Sequence, residues 1–190
     1  MSQYQDAMSQ YQDGRMSSPI SHAPTSSVRP RRAAGPQDLL RPEEITQISG
    51  LEFMQSILDG RLPGPPIGET LGYHLYSVEP GTITFRGTPE FAVTNPMGTV
   101  HGGWYGTLLD SAMACAVMTR VPKGSVYTTL EFKVNILRSI PLGTEIECIG
   151  LTDHVGRSTG VAHGELRGVV DGRLYATGST TCIVMQIAAS

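Results

Sequence analysis

A carboxylate, a histidine and a glycine pair stand close together in the stretch Asn95–Met118, NPMGTVHGGWYGTLLDSAMACAVM. Gly102 and Gly103 follow His101 directly, and Asp110 follows on the same run. Acyl transfer needs an activated nucleophile or base, and it needs N–H donors for the carbonyl oxygen on which charge develops. Asp110 is of the first type. The start of a helix supplies the second, because its first N–H groups are unpaired and its dipole end is positive. Each feature has a plain alternative. A mid-helix Asp commonly faces solvent, a Gly-Gly commonly makes a tight turn into a helix, and a single His is commonly a satisfied interior residue. Together in one stretch they point to a reaction site.

The element that must position them is a helix over Gly103–Met118, a run of small and apolar residues without proline. Trp104, Leu108, Leu109, Ala112, Met113, Ala116 and Val117 give it a broad apolar surface, while Gly106, Ala114 and Cys115 leave little that is polar elsewhere. The pattern predicts a helix covered on every side. Asp110 does not fit that environment. A buried carboxylate costs several kcal/mol (order of magnitude) unless paired or protonated, and no Lys or Arg occurs between Asn95 and Thr119.

The wider chain sets bounds. It has 190 residues, 39% hydrophobic, which suits one ordinary core plus a tail. The net charge of −3 gives no reason to expect a nucleic-acid partner. Cys115, Cys148 and Cys182 lie far apart without metal-ligand spacing, so they read as reduced thiols of a cytoplasmic protein, and no metal is expected. No apolar run approaches the length of a membrane span, and no secretory signal core opens the chain. Residues 1–42 read as a disordered tail in which MSQYQD occurs twice, at Met1–Asp6 and Met8–Asp13. Its Arg29-Pro30-Arg31-Arg32 run reads as a solvated linker, against the alternative of a membrane or acidic contact. Residues 43–190 form the folded domain.

Within that domain Pro42-Glu43-Glu44 opens a short helix, and Leu51–Leu58 has helical spacing. That segment carries two readings, a cover over a pocket mouth or ordinary packing on a sheet edge. Strands are predicted at Leu71–Val78 and Thr82–Arg86, flanking the turn Glu79-Pro80-Gly81. After the central helix, strands follow at Leu130–Ile136, Thr144–Thr152, Thr159–Val170 and Leu174–Met185, the last pair joined by Asp171-Gly172. Two strands, one buried helix and four strands imply an α+β fold: an antiparallel sheet of about six strands curved around the helix. One sheet leaves part of the helix and one edge uncovered, so a homodimer is expected.

Gly98-Thr99-Val100-His101-Gly102-Gly103 with Asp110 beyond it resembles the hotdog-fold acyl-CoA thioesterases of the phenylacetate-degradation (PaaI-like) group. The similarity runs from about Leu71 to Val184 and includes Thr129–Asn135 and Asp171–Leu174. It implies hydrolysis of an acyl-CoA, aryl or medium-chain aliphatic, to free acid and CoA, with no cofactor besides the CoA of the substrate. By the same resemblance Asp110 is nucleophile or general base, although many relatives carry Glu there. Gly102 supplies the N–H that polarises the thioester carbonyl, with Gly103 beside it. Asn95 helps hold the water or the thioester, His101 supports the turn and the thioester end, and Thr129 assists the carboxylate. Each site is implied to be shared across a homodimer, which can pair into a tetramer. Asn95 before Pro96 is also a good turn initiator, and Thr129 also suits plain strand packing. Arg157 and Ser158, in a turn between strands, and Arg138 are candidates for the CoA phosphates, against a plain solvated role. Two other functions compete: a non-catalytic acyl-CoA-binding hotdog module, and an acyl-CoA hydratase or dehydratase, whose usual Asp/His loop motif is not found.

Overall fold

The computed structural model describes residues 31–187. The repeated MSQYQD and most of the expected tail lie outside the described residues. Three short helices, α1 (Pro42–Ile45), α2 (Gly50–Leu58) and α3 (Ile67–Leu71), precede strands β1 (Tyr73–Glu79) and β2 (Thr82–Gly87). The long helix α4 (Gly102–Met118) follows, then β3 (Ser125–Ile136), β4 (Ile146–Val155), β5 (Thr159–Gly168) and β6 (Leu174–Gln186). Two strands, a helix and four strands is the expected order. Structure also extends upstream of Pro42: the N–H of Ala33 donates to Gly64 O, that of Gly64 donates to Arg31 O, and Arg32 pairs with Glu69.

The six strands make one sheet in the order β1-β2-β4-β5-β6-β3, with every pairing antiparallel. β1 and β3 are therefore its two edges. α4 lies against the sheet and touches β2 through β6. Glycines set how close it comes. A Cβ on Gly150 would collide with the backbone of Ala112, and one on Gly164 would stand 2.9 Å from Met113 Cγ. The far end of α4 is tied down by Thr119, whose Oγ1 donates to Ala116 O and accepts the N–H of Gly81 in the β1–β2 turn, both at 2.7 Å.

The expectation of a helix covered all round is corrected here. Eleven of the seventeen residues of α4 are buried. Gly102, Gly103, Thr107, Asp110, Ser111 and Cys115 are not, and they lie along one side. The reason is geometric: a single sheet curves around a helix but does not close over it. Several strand bounds also shift. β1 starts at Tyr73 because Ile67–Leu71 is helical and ends on Gly72 at φ 73, a left-handed turn that glycine adopts without cost. β3 reaches back to Ser125, well before Leu130.

β3 carries the irregularity that matters for the site. Thr129 pairs with Cys182 and Glu131 with Thr181, so Leu130 is an extra residue in a bulge. Strict alternation would put Thr129 and Phe132 on opposite faces. The bulge resets the register, so Thr129 faces α4 and so does Phe132, whose ring would stand 3.5 Å from a Cβ on Gly106.

Gly150→Ala tests the close approach of sheet and helix. With backbone in the way, we expect a loss of about 1–3 kcal/mol or failure to fold, read as a shift in the urea midpoint.

Candidate active site

The helix start is built by its own capping residue. His101 stands at the N-cap in extended conformation, and its Nδ1 accepts the N–H of Gly103 at 2.9 Å. This needs an unprotonated Nδ1. It holds the turn at the helix start, and it takes the amide of Gly103 out of the set of free donors. Gly102 keeps an exposed N–H at the first helical position, where no acceptor exists within the helix.

Asn95 sits in the turn before the helix. Its Oδ1 accepts from Met97 N at 2.9 Å and Thr99 N at 3.3 Å, and its Nδ2 donates to Thr99 Oγ1 at 2.9 Å. Within this chain Asn95 does turn chemistry, holding the loop whose end carries His101. One amide hydrogen of its NH₂ group stays available for another partner.

Asp110 lies half-buried on the open side of α4, and Thr129 Oγ1 donates to its Oδ1 at 3.0 Å. The two residues that resemblance paired are in contact. Burial pushes the Asp110 carboxyl above its ordinary range, and the Thr129 hydrogen bond pulls it partway back. No Lys or Arg forms an ion pair with it among the described residues.

The neighbours of Asp110 are polar but neutral. Tyr73 Oη lies 3.0 Å from Ser111 Oγ, and Tyr127 Oη donates to Cys115 Sγ at 3.9 Å. Burial pushes both phenols up, and it pushes the Cys115 thiol up to about 12. A thiol so protonated at neutral pH is a poor nucleophile. That leaves Asp110 as the reactive group of the cluster.

Of the remaining candidates, Arg138 stands near the helix start, where its backbone O accepts from Tyr105 Oη at 3.3 Å. Arg138 Nη1 donates to Leu174 O at 2.7 Å, so it fastens the end of β3 to β6. Arg157 and the exposed Ser158 occupy the β4–β5 turn, beyond the far end of α4. Arg157 lines a cleft of about 440 Å³ together with Arg120, Ser125 and Val184. Arg120 was not singled out from sequence, where it is one charge after an apolar helix. Only the path of the chain brings it beside Arg157. Among the described residues no group of three or more His, Cys, Asp or Glu side chains could hold a metal ion. No helix there is long and apolar enough to cross a membrane.

Gly102 and Asp110 are eight residues apart on one helix, about 12 Å at 1.5 Å per residue. A small group that meets one of them cannot meet the other within the same chain.

Comparison with known proteins agrees with this architecture. The sequence model of the thioesterase superfamily matches residues 97–182. Among solved structures, a phenylacetic acid degradation-related protein from Ralstonia eutropha JMP134 is 29% identical, covering 69% of this chain and 98% of its own, at TM-score 0.63. The phenylacetic acid degradation protein PaaI from Thermus thermophilus is 27% identical over 62% of this chain and 97% of its own, at TM-score 0.57. A hypothetical thioesterase from Streptococcus pneumoniae TIGR4, crystallised with coenzyme A, shares the fold at 23% identity and TM-score 0.55, over 62% of this chain and 89% of its own. No curated protein matches.

The raised pKa of Asp110 sets a sign for stability. The folded state binds the proton more tightly than the unfolded chain, so stability is highest at low pH and falls as pH rises through the unfolded value, about 4, towards the folded one. Asp110→Asn removes that penalty. We expect its melting temperature to exceed wild type at pH 7, with the gap closing below about pH 4, in scanning calorimetry at both pH values. Thr129→Val removes the one hydrogen bond that favours the ionised form, and the carboxyl should titrate higher still, as followed by NMR of labelled Asp.

Proposed function

Taking the chain as a hotdog-fold protein of the thioesterase superfamily, of the PaaI-like kind, we propose that it hydrolyses acyl-CoA thioesters in a site completed by a second copy of itself. The observation that carries this reading is the contact of half-buried Asp110 with Thr129, on a helix whose first N–H groups include an unpaired one. Asp110 acts as general base. It takes a proton from water, and the oxygen adds to the thioester carbonyl. The charge that develops on the carbonyl oxygen is met by the N–H of Gly102 from the other copy. The C–S bond then breaks, and the CoA sulfur leaves as a thiol with the proton Asp110 had taken. The short Asp side chain leaves space for that water where a Glu would itself reach the carbonyl.

A second copy fits the exposed edge. β3 is twelve residues long and among the described residues has no strand on its outer side, while Leu130, Phe132 and Ile136 along it are 63%, 45% and 49% exposed. An open apolar edge of this length invites strand pairing. In an antiparallel, two-fold arrangement Gly102 of one copy stands opposite Asp110 of the other when the axis passes level with Gly106, midway between them. Phe132, near the middle of β3, packs at that level, which supports an axis shared by the helices and the β3 edge. A tetramer of two such pairs extends this reading, and Arg157, Ser158 and Arg120 give cationic and polar contacts for the CoA phosphates. The three thiols, all free, suit a cytoplasmic setting.

Asp110→Asn should lower kcat at least ~100-fold with the fold kept, measured by thiol release over short, medium, long and aromatic acyl-CoA esters. Turnover near wild type would remove Asp110 from the chemistry. A protein that binds these esters and releases no thiol would instead be a binding module, and loss of enoyl absorbance on an enoyl-CoA would mark a hydratase.

A further inference from the structure

The hydroxyl that serves Asp110 has a partner of its own. Thr129 stands directly opposite Cys182 in the β3–β6 pairing, at the last pair before the bulge. Side chains paired in this way on one face have Cβ atoms about 4.5–5.5 Å apart, which brings an Oγ and an Sγ within reach of each other. Thr129 points to Asp110 on α4, and Cys182 lies fully buried in the core. The Cys182 thiol meets the hydroxyls of Thr129 and Thr180, and burial pushes it above the ordinary thiol range, so it carries its hydrogen at neutral pH.

The hydrogens of this group can be followed one by one. A hydroxyl has a single hydrogen to give and lone pairs with which to accept. Thr129 gives its hydrogen to Asp110 Oδ1 at 3.0 Å, and Thr180 gives its own to Glu131 O at 2.8 Å. Toward Cys182 each oxygen is therefore an acceptor, and the S–H is the donor. It cannot serve both fully. An O–H that donates to a carboxylate is polarised, and its oxygen then accepts more strongly than one that donates to a neutral carbonyl. While Asp110 is ionised, Thr129 is the better acceptor.

We propose that Cys182 is a positioning residue, whose S–H donates to Thr129 Oγ1 and holds that hydroxyl's hydrogen on Asp110. It acts through Thr129 alone. Its bearing on catalysis rests on the thioesterase reading, whereas the chain of contacts from Cys182 to Asp110 stands without it. When Asp110 takes up a proton the bias is lost and the S–H turns towards Thr180, so the thiol follows the charge of the carboxylate. The other titratable groups around Asp110 are Tyr73 of β1, Tyr127 of β3 and Cys115 of α4, all pushed up by burial. No Lys or Arg pairs with it among the described residues.

Infrared spectra of the full chain test this, because an S–H stretch falls in frequency as its hydrogen bond strengthens. Cys182→Ser, which keeps a donor at nearly the same size, identifies the Cys182 band by its loss. In wild type that band should rise as pH falls through the Asp110 titration, and in Asp110→Asn it should stay fixed. NMR of labelled Asp reads the midpoint of the titration itself. Cys182→Ala should raise it by a few tenths of a pH unit, and Cys182→Ser should return it to the wild-type value or below. In a Thr129→Val background Cys182→Ala should leave it unmoved. A band indifferent to Asp110 overturns the proposal, and this outcome needs no alanine variant to fold. So does a midpoint that moves equally in both backgrounds, which marks Cys182 as packing alone. Thiol release from acyl-CoA esters separates the two readings. A coupled band without turnover sinks hydrolysis and leaves the contact standing, whereas turnover with an uncoupled band does the reverse.

Discussion

The structure turns on a distance that cannot be shortened. An α-helix is stiff, and Gly102 and Asp110 ride on the same one, about 12 Å apart. The donor that stabilises a thioester oxyanion and the carboxylate that activates water must both lie about 3 Å from one reacting group. On the proposed thioester hydrolysis, one helix therefore carries two halves of two sites and no whole one. The remaining architecture suits that reading: among the described residues β3 has no strand on its outer side and exposes apolar side chains, and a small residue, Gly106, stands at the level midway between the halves. A helix side left uncovered beside the carboxylate completes the set.

The same economy explains the polar cluster. A carboxylate in a half-buried position, without a cation to pair with, is held above its ordinary pKa, and one hydroxyl keeps it from rising further. Tyr73, Tyr127 and Cys115 surround it with groups that burial keeps neutral. They offer dipoles without competing for the proton. Asp110 is left as the side chain there whose charge can change, which suits the base of the proposed hydrolysis.

Much of this is legible in the residues alone. The proline-free run from Gly103 marks the helix to within one residue of its start, and alternation marks β3. The strand-helix-strand order leads to the sheet. Two features are not legible, for separate reasons. The extra residue Leu130 continues an unbroken alternation through Ile136, and nothing local marks the step that turns Thr129 and Phe132 to the same side. Only pairing with β6 reveals it. The ring of His101 claiming the N–H of Gly103 depends on a side-chain rotamer, which sequence does not encode by itself. For Asn95 the sequence leaves turn chemistry and substrate contact open, and the chain alone uses its side chain for the turn. The apolar pattern of α4 overstates its burial, because Gly, Thr, Ser and Cys are as much at home on a half-open groove as in a core.

The most direct measurement is complementation between two damaged copies. Gly102→Pro deletes the N–H at a helical position where proline is tolerated, after a His101 already at φ −66 and ψ 138, the extended shape a proline requires of the residue before it. Asp110→Asn deletes the base. Each protein alone should be inactive. Unfolded together in equal amounts and refolded, they should recover about a quarter of wild-type activity, since half of the dimers are mixed and each of those holds one intact site of two. Activity that stays at the level of the separate proteins, in a mixture shown to contain mixed dimers, would mean that base and oxyanion donor come from the same chain, and it would contradict the account at its root.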